Sequence, residues 1–420
     1  MAISQNFPEE KPTLNLNFAG SRVLDPRITL SRSSVGTYMD DNGLLKTAAA
    51  DEPRFDHDDV TGESLGLLIE ESRTNLIPYS AVNTTNWNFS GQTPVSLSLN
   101  ALGVFPGVRA ISNGQVWHGL HISNISLTSG TTYTATWYFR KGDINPSNKF
   151  RAIIRDVPAA KVTTFEKSSA STDYGDISSY SFSQNTDVTT NFEYLSVDTL
   201  ADGLTYKLCI RFNASASSDY RFMFQTNSAT VGETIIALGL QVEEGEFPTS
   251  YIPTSGSTVT RNPDNVTMTG TNFSDFYNQD EGTVYVSQKL RAVQDTVRNN
   301  VVYLINGGNQ LDYYYNTKAG GNHIFVFGDG GTIYRSFGKG GINSIDSKTA
   351  WAYDVSSDDF KAYYNGIEAT NETNNNTPSA TSHTKLELGS TATAKYCGHI
   401  QQFVYYQTRL SNAQLQNLTK

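Results

Sequence analysis

Along residues 204–212 the chain reads Leu-Thr-Tyr-Lys-Leu-Cys-Ile-Arg-Phe, with a large apolar side chain at every even position. Alternation of period two marks a β-strand with one buried and one wet face. Tyr133/Ala135/Trp137/Phe139, Phe150/Ala152/Ile154 and Tyr220/Phe222/Phe224 repeat the pattern. Asp202-Gly203 supplies a turn just before the clearest strand. No helical apolar stripe of useful length interrupts residues 81–257, which therefore predict a two-sheet sandwich or jelly roll.

Residues 258–420 are again strand-rich, with candidates at Thr283–Leu290, Val301–Ile305, His323–Phe327, Trp351–Val355 and Ile400–Tyr406. Asn365-Gly366 between Tyr364 and Ile367 signals a tight hairpin, because a type I′ turn needs positive φ at both central residues. Asn42-Gly43 gives the same signal near the start of the chain. Ser411 and Gln414 stand at capping-box spacing ahead of Leu415 and Leu418, which predicts one short terminal helix. The stretch from Phe247 to Ser257, with Pro248 and Pro253 and a small-polar tail, predicts a linker.

Residues 1–80 differ. Leu14, Leu16 and Phe18 alternate with Asn15 and Asn17 in one short strand, but the polar stretch Asp51 to Glu63 is too hydrophilic to build a core alone. This region is expected to be an attachment segment, its Leu14/Leu16/Phe18 strand offering an edge for another protein.

Composition sharpens the reading. Hydrophobic residues make up 38% and charged residues 17% of 420, so much of the polarity comes from neutral side chains suited to exposed sheets. With 21 Phe and 23 Tyr the chain has ample means to fold. The expected class is all-β, with tandem antiparallel sandwiches after an N-terminal segment. A formal net charge of −10 disfavours nucleic acid as a partner. Cys209 and Cys397 make no disulfide framework. No basic-plus-apolar leader opens the chain, and the apolar stretches Leu65–Ile69 and Ile235–Val242 are far short of the ~20 residues of a membrane span. A soluble protein without membrane insertion or export signal is expected.

Several stretches resemble a known family. Leu24-Asp25-Pro26-Arg27-Ile28-Thr29-Leu30-Ser31-Arg32, Glu52-Pro53-Arg54-Phe55-Asp56 and Leu65 through Leu76 resemble the amino-terminal part of bacteriophage fibre and head-spike proteins. Leu240 through Thr254 is similar to the strand and exit that close the sandwich domain of those proteins. Tyr364-Asn365-Gly366, Leu386-Glu387-Leu388-Gly389-Ser390 and Gly398-His399-Ile400 make the last third similar to concanavalin A-like lectin/glucanase domains. The resemblance implies a virion surface component, a tail fibre, head fibre or capsid decoration. It would be made in the host cytoplasm, be homotrimeric, and contact other virion proteins and host surface glycans.

Catalysis is not expected. Glycoside hydrolysis needs two carboxylates flanking the bond, and Glu70-Glu71 and Glu243-Glu244 are adjacent, so on a strand they point to opposite faces. A site assembled from distant strands stays open, and with it a polysaccharide-degrading enzyme carrying carbohydrate-binding modules; a purely architectural protein is the third reading. His118 and His121 lack further ligands for a metal. Asp56-His57-Asp58-Asp59 lacks the order of a calcium loop and reads as a solvated turn. No cofactor is expected: Gly328–Gly331 and Gly338–Gly341 lack the Lys-Ser/Thr of a phosphate loop. Sugar binding would use exposed aromatic faces beside amide and carboxylate groups, and Trp87, Trp117, Asn309, Asp312, Tyr313, Tyr314 and Tyr315 are the candidates. Trp137 and Trp351, set within apolar alternation, read as core.

Overall fold

The structure, a computed structural model, describes residues 8, 10–115, 119–147, 149–167, 173–185, 189–226, 229–291, 299–306, 309–317, 322–329, 332–339, 346–373, 376–379, 382–389 and 396–420. It is all-β, and its strands pair antiparallel in two sandwiches.

The first sandwich faces two six-stranded sheets. One runs Thr189–Thr199, Thr205–Ala214, Thr132–Lys141, Thr234–Glu244, Val108–Ser112, Gln92–Ser96; the other runs Tyr180–Asn185, Lys161–Lys167, Phe150–Asp156, Ser218–Gln225, Leu120–Leu127, Asn88–Phe89. The alternating residues close the space between them. Leu208, Ile210 and Phe212 face Phe222 and Phe224, all fully buried, and Phe139 stacks on Phe150 at 3.9 Å between ring centroids. Leu204 does not join them; it is 58% exposed, because the strand begins one residue later.

The second sandwich joins two eight-stranded sheets. In one, Glu281–Leu290 lies between Asp346–Asp354 and the closing strand Gly398–Tyr406. The other carries Asn265–Thr269, Lys385–Leu388, Asn299–Asn306, Asn309–Thr317, Asn322–Asp329 and Thr332–Lys339 in its centre. Trp351 against Phe325 and Phe360 against Phe327 knit the two together.

The N-terminal residues are built into this second sandwich. Leu14–Asn17 and Ser64–Ile69 both pair with the closing strand Gly398–Tyr406, and Thr29–Ser31 pairs with Asn265–Thr269. Leu14, Leu16 and Phe18, expected as an attachment edge, are 1–3% exposed in the core with Val286 and Phe403. Their side chains therefore fill this chain's own core, and the closing strand takes one edge of their strand. Gly66 shows how tight the fit is: at φ +90° a Cβ would lie 2.5 Å from the Ile400 carbonyl oxygen.

The stretch expected as a linker is packed too. Tyr251 and Ile252 are each 3% exposed, Thr37 Oγ1 donates to the Tyr251 carbonyl, and the Ile252 amide donates to Gln241 Oε1 at 2.6 Å. Of the two Asn-Gly hairpins, Asn365 (φ 43°) and Gly366 (φ 77°) make the expected type I′ geometry. At Asn42-Gly43 only Gly43 has positive φ, and the longer loop is held by Asp40 Oδ1, which accepts from the Asn42 and Leu44 amides. The terminal helix Asn412–Leu418 carries the expected Ser411/Gln414 capping box.

Candidate functional site

A cleft of about 400 Å³ opens where the N-terminal strands, the first sandwich and the second sandwich meet. Its floor is the outer face of the sheet that holds Thr205–Ala214. Alternation there places Lys207 and Cys209 opposite the core residues Leu208 and Ile210, beside Thr136, Tyr138 and Asp198 of neighbouring strands. That face was expected to be wet. Residues 56–59 cover part of it, so Cys209 is 1% exposed. Burial raises both the Cys209 thiol and the Tyr138 hydroxyl above their ordinary ranges.

The roof is the Asp56-His57-Asp58-Asp59 stretch, read from sequence as a solvated turn. Asp56 is 2% and His57 5% exposed. The Asp56 carboxylate accepts from the Met39 amide at 2.6 Å and lies 2.8 Å from His399 Nε2 and 3.1 Å from Arg291 Nη2. Burial pushes this carboxyl up, but His399, Arg291 and the Met39 amide outweigh it and hold the group below the usual carboxylate range. Asp58 caps its turn by accepting from the Val60 and Thr61 amides, with Lys289 Nζ 3.3 Å away. Asp59 pairs with Lys207, which also lies 3.6 Å from Asp198. Every carboxylate lining the cleft thus has a cation beside it.

Behind the cleft lies an ion network that is buried except for Arg291, which also lines the cleft. Arg54 bridges Glu70 at 2.7 Å and Asp264 at 2.5 Å, and Arg32 reaches Asp264 at 2.8 Å. Arg261 and Arg291 approach Glu70 at 3.4 and 3.6 Å. Glu70 also accepts from the Ser250 amide and hydroxyl at 2.8 and 2.6 Å. Burial raises the Glu70 carboxyl, yet Arg261, Arg54, Arg291 and Ser250 together hold it well below its ordinary value. Arg32, Arg54 and Glu70 fall within the three N-terminal stretches that carry the fibre resemblance, so those polar residues serve as an internal clasp. Among the described residues, no group of three or more His, Cys, Asp or Glu is placed to hold a metal.

The sugar candidates read from sequence do not converge here. Trp87 is 3% exposed; its indole N–H donates to the Tyr79 carbonyl at 3.0 Å and its ring packs on Phe224. It is a core residue rather than a platform. Trp117 lies outside the described residues. Asn309, Asp312, Tyr313, Tyr314 and Tyr315 share the strand Asn309–Thr317, and their side chains lie outside the described residues as well. Sequence reasoning missed the cleft residues Tyr38, Tyr138 and Tyr251, which no motif brings together. The only hint was Lys207 on the polar face of the best strand.

No family model matches the sequence, and no curated protein matches it. Among solved structures, the carbohydrate-binding module CBM40 of the Ruminococcus gnavus IT-sialidase bound to α2,6-sialyllactose is similar at 17% identity. That likeness spans 34% of this chain and 85% of the other with TM-score 0.28. The tandem CBM22-1-CBM22-2 domain of Paenibacillus barcinonensis Xyn10C is similar at 8% identity, over 80% and 96%, with TM-score 0.26. Domains LG4-5 of the mouse laminin α1 chain are similar at 6% identity, over 82% and 91%, with TM-score 0.24. None of these likenesses bears on function.

Proposed function

We propose that this chain is a non-enzymatic surface component of a bacteriophage particle, a fibre or decoration that contacts host glycans through the cleft between its sandwiches. The observation that carries the glycan reading is the lining of that cleft. It sets the rings of Tyr38 and Tyr138 beside four carboxylates and three permanent cations, Lys207, Lys289 and Arg291. The charges nearly cancel, which suits a neutral polyhydroxylated ligand and not a polyanion. Such a ligand uses aromatic faces for its C–H surface and charged groups for its hydroxyls.

The same pairing favours binding over hydrolysis. A glycosidase needs one carboxyl kept protonated near neutral pH. Asp56 and Asp58 are both held below the usual range, Asp58 because its amide bonds and Lys289 outweigh the effect of burial. The virion assignment rests on the fibre-like stretches, and the homotrimer and host-glycan contact follow from that resemblance.

Titration of the full chain with neutral oligosaccharides from bacterial envelope preparations tests the cleft. Tyr38→Ala should weaken binding about tenfold, the worth of one aromatic face, with an unchanged unfolding midpoint. Undiminished binding by the variant removes the cleft as the site. Release of reducing sugar, lost in Asp198→Asn, would make the chain an enzyme. Immunogold labelling of intact particles tests the virion location.

A further inference from the structure

The first sandwich carries a second polar feature, remote from the cleft in the fold. In the sheet containing Phe150–Asp156 and Ser218–Gln225, the even residues Phe150, Ala152, Ile154, Tyr220, Phe222 and Phe224 point into the core. The odd residues therefore form the outer face. Register sets Arg155 directly opposite Arg221, and Ile153 opposite Met223 with His121 beyond it on the next strand.

Like charges directly opposite each other on one sheet face repel. An interposed carboxylate relieves such repulsion, and two rows away on the same face Arg151 pairs with Glu166 at 2.8 Å. At the Arg155–Arg221 pair no such partner is present among the described residues. Arg221 Nε donates only to the Ser123 hydroxyl, at 2.8 Å. Arg155 Nε is buried with no hydrogen-bond partner. Asp219, on the same face, accepts from Ser126 instead and pairs with neither guanidinium. His121, 7% exposed, reports the local field: burial first, then Arg221 and Arg155, push its pKa down to about 4.

We propose that Arg155 and Arg221 form a binding site for the carboxylate of an acidic saccharide. Two adjacent guanidiniums match a carboxylate with parallel N–H···O bonds, and the Ser123 hydroxyl is at hand for a ring hydroxyl. Ile153 and Met223, 3% and 6% exposed, are covered by their neighbours and set the pair's row beside an apolar one. A polyanion fits less well, because Asp219 lies on the same face in the row next to Arg221 and the chain carries a net charge of −10. The site is independent of the cleft reading, since it uses another sheet and another ligand charge.

The test is calorimetric titration of the full chain with D-glucuronate, with D-glucose and acetate as controls. Glucuronate should bind, glucose should not, and acetate should bind at least about tenfold more weakly for want of a ring hydroxyl to meet Ser123. Arg155→Gln and Arg221→Gln should each weaken glucuronate binding about tenfold or more. Neither variant should lower the unfolding temperature, since each relieves a repulsion; at equal concentration glucuronate should raise the wild-type midpoint more than the variants' midpoints. Equal binding of acetate and glucuronate would leave only a simple anion site and overturn the saccharide assignment. Binding unchanged in both variants, or no binding of glucuronate, would overturn the site itself.

Discussion

Replacing Glu70 with Gln removes one charge from the buried clasp while keeping the shape and an acceptor for the Ser250 amide. Glu70 is fully buried and faces Arg54, Arg261 and Arg291 within 2.7–3.6 Å. The clasp holds four arginines against Glu70, Asp264 and Asp56, so the variant leaves four cations facing two carboxylates. Losing one partner of a buried ion pair costs about 3–5 kcal/mol, because the remaining charge stays desolvated. Stability of a domain is about 5–15 kcal/mol, so the change should remove a large share of it. Urea unfolding followed by tryptophan fluorescence should show the midpoint fall with an unchanged slope. Replacing Arg54 with Met in the same chain should recover part of the loss, since it withdraws one of the stranded cations. A loss below about 1 kcal/mol for Glu70→Gln would mean that water or relaxation screens these charges, and the clasp would not be what fixes the junction.

Three further outcomes follow from the same contacts. Leu16→Ala, at 3% exposure in the second sandwich, should cost about 2–5 kcal/mol in a urea titration, and deleting residues 1–31 should leave that sandwich unable to fold; a folded truncation would refute the packing of the strand Leu14–Asn17. Because the folded pKa values of Glu70 and Asp56 are depressed, the stability that they contribute is fully present above the ordinary carboxylate range near about 4. That stability is lost as pH falls through the depressed values, so acid unfolding followed by circular dichroism should steepen below that range and flatten in Glu70→Gln. Cys209 and Cys397, 1% and 0% exposed with thiols raised by burial, should react with a colorimetric thiol reagent only after unfolding, and rapid native labelling of either would contradict their burial.

The elements that could be read from the sequence are those whose cause is local. Period two in Leu208–Phe212 needs no distant partner to declare a strand, and the Ser411/Gln414 box and the Asn365-Gly366 turn follow from residues a few positions apart. What stayed hidden is non-local. The Asp51–Glu63 stretch looks too polar for a core because polarity normally means solvent, yet Arg54 finds Asp264, 210 residues away, and Glu70 finds Ser250, 180 residues away. Polar residues are inexpensive to bury only with their partners, and nothing in Glu52-Pro53-Arg54 names the partner. Trp87 shows the converse: its amphipathic ring is equally at home on a surface, and it is the distant Phe224 ring, together with the Tyr79 carbonyl that accepts its N–H, that places it inside.

The clasp also explains why the cleft has a definite shape. Apolar faces tell two sheets to pack, but they are tolerant of small rotations, since one aliphatic contact replaces another at little cost. Paired charges are not tolerant, because a shift of an ångström or two strands a desolvated guanidinium. Arg291 is the link between the two regions: its Nη2 holds Asp56 in the roof of the cleft while its Nε faces Glu70 in the clasp. A disturbance at Glu70 is therefore expected to reach Asp56 and with it the roof, although Glu70 does not line the cleft. This separates two effects that stability measurements alone would merge. Glu70→Gln should loosen ligand binding at the cleft under conditions where the chain is still fully folded, whereas Leu16→Ala, comparably destabilising but remote from Arg291, should leave binding by its folded population unchanged.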